Sequence, residues 1–498
     1  HVLVIPLQQE RVQLLHAGAE RRADGEGSAV GILGPDGVER VLVELYVVAV
    51  AEYDADVDFA VSCAREGQRH WAAMPMWQRK TVIDRYCELI AEHTEELAQL
   101  LCLESAKPIT QSRNEVGGLI YKLQSPAEAA KHLNGDVIPT GTAPGNETTI
   151  QFTVREPRGV EAAIIPFNFP FDLFGLKVGP ALIMGNAVIV KPSMDNPLGL
   201  LKLTALSKEA GFPDGVLQCV TGSGSQIGPM LANHPGIDLY SFTGSTPVGM
   251  SSMALAAKTL KPCLLELGGN DAFIVLEDAD LDLAVSEAVE GRMLFSGQVC
   301  CASKRFLIQN SVRDAFTEKL LTALKKIRCG DPMDSSVQVG PVINEDAAKK
   351  IESQVQRIVE QGGEILMGGH RSGTFYEITV VANVPATADV AKDDEIFGPV
   401  IPIIGFDTVQ EAIRIANQSV YGLNSCVFSK NATSAMTVAY AMQAGTAVIN
   451  GTGLFRSNEM PFGGYKHSGL GTEGTLTSLE ECSHLKTIVL KNIISPVE

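Results

Sequence analysis

Apolar residues recur at helical spacing from about Val57 onward. Between Gln78 and Leu103, the positions Val82, Ile83, Tyr86, Leu89, Ile90 and Leu97 stand at helical spacing with charges between them, which predicts helical structure there. Upstream, the turn signal Gly34-Pro35-Asp36-Gly37 separates two apolar runs and predicts a hairpin or two strands. Thr148 to Arg155 alternates like a strand after the loop Gly141 to Gly145. From Val160 the pattern changes. Short β runs (Val160–Ile165, Ala187–Val190, Val216–Val220, Leu239–Phe242) alternate with helical segments (Phe171–Met184, Gly199–Ala210, Gln226–Leu231, Ser245–Ala256). This rhythm with brief loops predicts an α/β fold built on a doubly wound parallel sheet, which binds ligands at the carboxyl ends of its strands. A second alternating stretch runs from about Leu264 to Ile449. No internal repeat or low-complexity tract interrupts the pattern.

Composition narrows the picture. The 498 residues exceed what one hydrophobic core organises, so two or three domains are expected. A net charge of −18 argues against nucleic acid or an anionic membrane as partner. No apolar run approaches the roughly 20 residues of a membrane span, and no secretory signal stands at the start. The ten cysteines are scattered and form no CxxC pair, which fits reduced thiols in a cytoplasmic protein and neither a disulfide frame nor a metal site.

Three segments carry candidate chemistry. In Gly297-Gln298-Val299-Cys300-Cys301-Ala302, a cysteine beside a glycine turn can present its sulfur to a cleft; equally, both thiols can be core. In Leu265-Glu266-Leu267-Gly268-Gly269-Asn270, a lone carboxylate in an apolar run has its pKa raised by desolvation, which suits a general base, unless it is a solvated strand end. In Pro166-Phe167-Asn168-Phe169-Pro170, the Asn168 amide is either a rigid donor to an oxyanion, worth on the order of 3 kcal/mol, or the cap of the following helix. Phe242-Thr243-Gly244-Ser245-Thr246 joins a strand to a helix and can meet a pyrophosphate with its N–H groups, although Ser245 is also an ordinary N-cap. Gly222-Ser223-Gly224 is a weaker signal of the same kind. Lys191, just after a strand, can reach ribose or phosphate or simply be solvated.

Taken in order, Asn168, Lys191, the Gly244-Ser245 turn, Glu266, Cys300, Glu395-Ile396-Phe397-Gly398-Pro399 and Pro461-Phe462-Gly463-Gly464-Tyr465-Lys466-His467-Ser468-Gly469 resemble the aldehyde dehydrogenase superfamily over residues 57–494. The resemblance implies the family's mechanism. Cys300 is the expected nucleophile, Asn168 and the Cys300 N–H the oxyanion donors, and Glu266 the base that activates water against a thioester. It also implies an NAD(P) site: Lys191 and Glu395 at the two riboses, Ser245 at the pyrophosphate, Phe397 at the nicotinamide end and Gly224 on the adenosine side. Ile165, Pro166, Ser193 and Met194 are expected to join this cofactor site, as are Phe242, Gly244, Leu267 and Gly268.

The same resemblance divides the chain into a cofactor domain (1–139 and 159–265), a catalytic domain (266–448), and a β flap with the C-terminal segment (140–158 and 449–498). The flap combines residues near 140–158 with Leu485–Leu490, and in the family it pairs across subunits, implying a homodimer or homotetramer. The run Phe455-Arg456-Ser457-Asn458-Glu459-Met460 resembles the lactaldehyde and succinate-semialdehyde branch. Phe169, Leu176, Val299, Cys301, Phe455 and Arg456 are the expected substrate-side residues, Arg456 either reading an anionic or hydroxyl group or forming a structural ion pair. Lactaldehyde, succinate semialdehyde and glyceraldehyde 3-phosphate all stay open. So do a dehydrogenase that passes its thioester to coenzyme A, which the presence of Glu266 disfavours, and a non-catalytic protein of the same fold.

Two positions and the N-terminal segment depart from the family pattern. Met194 stands where NAD-preferring members carry a glutamate three residues after the lysine. Without that carboxylate a 2′-phosphate is not repelled, so NADP is expected to be accepted, and preference for it is the stronger form of the expectation. Met293 replaces the usual aromatic or aliphatic residue before the cysteine loop, a change of packing, and the first 55 or so residues lack the family's N-terminal pattern.

Overall fold

The computed structural model describes residues 54–494 and, as backbone, residues 30–33 and 39–43. Those two short pieces, Val30–Leu33 and Glu39–Val43, pair antiparallel as the turn signal between them predicts, while the turn itself lies outside the described residues.

Four helices follow: Asp54–Ala73, Met76–Glu92, Thr94–Ser105 and Ile109–Ala129. The helical stretch expected over residues 78–103 is two helices. His93 leaves helical geometry (φ −101°, ψ 15°) and serves as the C-cap of one helix and the N-cap of the next. Glu95 and Glu96 in the new first turn favour a helix start, and Glu96 also holds the His93 ring at 2.6 Å. Ile90 and Leu97 are seven residues apart, so the apolar stripe stays in phase across the break and conceals it.

The first large sheet has the strand order Gly469–Leu470, Cys263–Glu266, Leu239–Thr243, Val160–Ile164, Ala187–Lys191, Leu217–Cys219, parallel except for the first. The chain builds outward one way from Val160–Ile164 and then returns to build the other way. The strand order therefore reverses between Val160–Ile164 and Leu239–Thr243, where a crevice opens at the carboxyl ends. Val188, Ile189 and Val190 are wholly buried because helices cover both faces; each such side chain contributes about 1.5–3 kcal/mol on burial.

Cys263–Glu266 is the last parallel strand of this sheet, and after Leu267–Asn270 the chain enters a second sheet at Asp271–Val275. Its order is Glu364–Met367, Thr379–Ala382, Val400–Phe406, Ser303–Gln309, Asp271–Val275, Asn424–Phe428, Thr446–Ile449, parallel but for the first strand. A third, antiparallel sheet joins Val137–Ile138, Ile150–Pro157 and Ser483–Leu490. Glu266 therefore stands where one large sheet hands over to the other, and Cys300 lies three residues before a central strand of the second. Among the described residues no helix is long and apolar enough to cross a membrane.

Candidate active site

The cysteine loop is built by unusual backbone. Phe295, Ser296 and Gly297 have φ of 44°, 55° and 76°, a run of left-handed conformations that only surrounding structure can hold. Ser296 Oγ donates to Gly340 O at 2.8 Å, and the wholly buried Gln298 accepts the Ile343 N–H on Oε1 at 2.9 Å. A Cβ at Gly297 would lie 2.3 Å from Gly398 O, so only glycine lets the loop pack against the segment that carries Glu395 and Phe397. Cys300 and Cys301 are both partly exposed, which removes the reading of two core thiols. The Cys300 thiol is held up by its hydrogen bond with Cys301 and by burial, and the Lys304 charge works in the opposite direction.

Asn168 faces this loop. Its Nδ2 donates to Gln298 O at 3.1 Å, and the helix behind it, Pro170–Met184, has Phe169 as N-cap with no side-chain cap bond. The capping alternative for Asn168 is therefore wrong: Pro170 at the first helical position supplies the start, and the amide is left to face the cysteine loop. Phe169 packs edge-on against Phe295, and Val299 is buried beside the cysteine.

Glu266 is buried, not solvated. Burial first, and then the negative charge of Glu473, push its carboxyl well above the ordinary carboxylate range, against the pull of Arg456 and Lys177. Glu473 itself accepts from Lys177 Nζ at 2.9 Å and Arg456 Nη2 at 3.1 Å. Burial alone would raise Glu473, but these two cations hold it below its ordinary value. The ion-pair alternative for Arg456 is thus real. Its guanidinium also lies 4.0 Å over the Phe462 ring. Leu176 is buried among the helices and Phe455 is 63% exposed.

At the crevice, Lys191 is the last residue of its strand and is buried, with Pro192 O at 2.9 Å as acceptor; it is not a solvated loop lysine. A Cβ on Gly224, the first residue of the helix Gly224–Asn233, would lie 3.7 Å from Lys191 Nζ. Ser245 is the N-cap of Thr246–Ala256 without a side-chain cap bond, Gly244 N donates to Glu266 O at 3.0 Å, and Leu267 N donates to Ser468 O at 2.9 Å. Ile165 N donates to Lys191 O at 3.0 Å, placing Pro166 beside the lysine's strand end; Phe242 is buried, and Ser193 and Met194 follow at the rim. Thr243 Oγ1 is buried with no protein partner. A lysine with donors to spare, an unpartnered hydroxyl and two helix starts fit a dinucleotide's hydroxyls and phosphates. Glu395 Oε1 accepts from Gly269 N at 3.3 Å and pairs with Lys304 Nζ at 3.2 Å, and the same ammonium donates to Cys300 O at 2.5 Å. A Cβ at Gly268 would reach Glu395 Oε2 at 2.7 Å. Phe397 packs edge-on to Phe167. Among the described residues no cluster of His, Cys, Asp or Glu is arranged to hold a metal.

A model of the aldehyde dehydrogenase family matches residues 44–488 of this chain. The chain belongs to the aldehyde dehydrogenase family. It is 37% identical over 443 residues to a 3-sulfolactaldehyde dehydrogenase of Pseudomonas putida, across 88% of this chain and 90% of that one. It is 36% identical over 431 residues to the NADP(+) succinate-semialdehyde dehydrogenase of Escherichia coli (strain K12), across 86% and 88%. Glyceraldehyde-3-phosphate dehydrogenase from Methanocaldococcus jannaschii, solved in complex with NADP, superposes with a TM-score of 0.85 at 34% identity, covering 90% of this chain and 97% of that one. The α/β architecture is that of an aldehyde dehydrogenase, and the activity is NAD(P)-dependent oxidation of a small aldehyde.

Sequence reasoning missed three charged residues at this site: Lys177, Glu473 and Lys304. Lys177 did leave a signal, since it is the one cation in the helix Pro170–Met184, apolar from Leu173 onward but for it, and must find a buried partner. Glu473 and Lys304 left none, because their placement depends on contacts across the two sheets.

Proposed function

We propose that this aldehyde dehydrogenase oxidises a short aldehyde bearing an anionic group, through a thioester on Cys300 that Glu266 hydrolyses. The observation that carries the reading is the opposition of Asn168 to the Cys300 loop, with a buried, proton-hungry carboxyl at Glu266. The Cys300 sulfur, as thiolate, adds to the aldehyde carbon. Asn168 Nδ2 and the Cys300 N–H stabilise the oxygen as it gains charge. NAD(P), held by Lys191, Ser245 and Glu395, supplies the hydride acceptor when bound. Glu266 then takes a proton from the water that attacks the thioester, releasing the acid and the free thiolate.

An anionic substrate is supported by Arg456, whose ion pair with Glu473 engages Nη2, and by the relatives named for 3-sulfolactaldehyde and succinate semialdehyde. Turnover of such aldehydes without coenzyme A, followed by the near-ultraviolet absorbance of the reduced cofactor, is the test. Activity on these and not on propanal or benzaldehyde is the expected result; turnover only with coenzyme A would move the chain to the acylating class. Arg456→Met is expected to raise KM for anionic aldehydes more than for neutral ones. It also removes a charge that pulls the Glu266 carboxyl down, so the acid limb of kcat should move to higher pH. Equal effects on both aldehyde classes would take Arg456 out of recognition, leaving the limb shift as its role.

NADP acceptance is supported by Met194, which is exposed at the rim near Lys191 and carries no charge to repel a 2′-phosphate. Met194→Glu is expected to turn the preference toward NAD. A charge-assisted hydrogen bond of about 1.5–3 kcal/mol corresponds to about 10–100-fold in the ratio of kcat/KM values. Catalytic efficiency with NAD equal to or above that with NADP in the unmodified enzyme would defeat the preference.

The third sheet supports a homo-oligomer: Val137, Leu485 and Val489 are exposed on it, an apolar surface of the kind that other copies cover. The ten unpaired thiols support a reducing, cytoplasmic setting.

A further inference from the structure

Lys107 and Glu115 form an ion pair in which both side chains are buried, far from either carboxyl-end crevice in sequence. Lys107 stands in the short break between Thr94–Ser105 and Ile109–Ala129, and Glu115 lies in the second of these helices. A buried pair of this kind contributes no more stability than apolar residues of the same volume. What distinguishes it is where its remaining hydrogen bonds go. Lys107 Nζ donates to the backbone carbonyl of Asn168 at 2.7 Å and lies 3.6 Å from the ring centroid of Phe169. The same ammonium is 4.6 Å from the ring of Phe295, which belongs to the left-handed run before Cys300. Glu115 Oε1 accepts from Phe171 N at 2.9 Å and from Asp172 N at 3.3 Å, the first turn of the helix that follows Asn168. One residue of the pair thus grips Asn168 itself and touches the cysteine loop, and the other grips the helix start behind it.

We propose that Lys107 is a positioning residue for Asn168, and that with Glu115 it sets the distance between the oxyanion donor and the Cys300 loop. This inference rests on the proposed role of Asn168. Lys107 touches no reacting atom. Its part is to hold the peptide of Asn168 and the ring of Phe295 around one fixed cation, so that the amide meets the oxygen where its charge develops. Displacement of such a donor by an ångström is enough to lose catalysis by about two orders of magnitude.

The test is a double-mutant cycle on purified full-length enzyme. Asn168→Ala alone is expected to lower kcat/KM by about 100–1,000-fold. Lys107→Met alone is expected to lower kcat by about 10-fold or more with KM for aldehyde nearly unchanged, because the loss falls on an interaction made in the transition state. In the Asn168→Ala background, Lys107→Met should cost less than about 3-fold, since the donor it positions is gone. The same factor in both backgrounds would mean that Lys107 acts through general packing and would overturn the proposal, as would full activity of Lys107→Met. Should the single variant fail to fold, Lys107→Met with Glu115→Leu removes both charges together, and the same cycle is run from that pair. No effect of Asn168→Ala alone would overturn the oxyanion reading itself, an outcome distinct from failure of the coupling.

Discussion

Glu266→Gln is expected to release about one equivalent of reduced cofactor per active site and then stall, its steady-state rate falling about 100–10,000-fold. The amide has the size of the carboxyl and keeps a hydrogen-bonding group in the buried position, so acylation of Cys300 proceeds. It cannot accept the proton of the attacking water, so the thioester accumulates. The wild-type enzyme should show the same behaviour at low pH. Burial and the charge of Glu473 raise the Glu266 carboxyl, so the protonated, inactive form persists above the ordinary carboxylate range. The acid limb of kcat therefore lies above that range, and activity increases as pH rises through the folded-state pKa. Rapid-mixing absorbance at several pH values separates the phases. A variant with no burst, or a wild-type acid limb at an ordinary carboxylate pKa, would show that Glu266 does not limit hydrolysis.

Cys300→Ala is expected to lose about 10,000-fold or more in kcat, the scale on which removal of a covalent nucleophile is felt, while binding NAD(P) normally. Cys301→Ala should stay within about 10-fold of wild type, the range of a packing neighbour and not of the reacting group. The two thiols are adjacent and hydrogen-bonded, so this comparison decides which sulfur attacks. The loop geometry favours Cys300, whose backbone is tied to the cofactor side: Lys304 bridges its carbonyl to Glu395. Reversal of the two outcomes would move the nucleophile to Cys301.

Much of the fold was legible because its strands are buried on both faces and its helices carry clear periodicity. Val160–Ile164, Ala187–Lys191 and Leu239–Thr243 all lie within about a residue of where alternation put them. The break at His93 was not legible, because the apolar stripe crosses it in phase. The chemistry of Asn168 stayed ambiguous in sequence for a local reason. An asparagine before Pro170 reads equally as a cap, and only the Gln298 carbonyl, 130 residues away, decides which way the amide points. Arg456 was ambiguous for a long-range reason, since its partner Glu473 lies on a later segment and is recruited together with Lys177 from another element. Charges that act on a site through two sheets leave no spacing to read.

The central claim is that an acyl group rides on Cys300. Glu266→Gln enzyme mixed with succinate semialdehyde and NADP, quenched in acid and measured by intact mass, tests it most directly. The account predicts one added acyl group per chain, with the mass of that substrate less the hydride and proton lost on oxidation, located by peptide mapping at Cys300 and absent from the Cys300→Ala, Glu266→Gln double variant. A burst of reduced cofactor with no adduct on the protein, or an adduct on Cys301 or elsewhere, would contradict it.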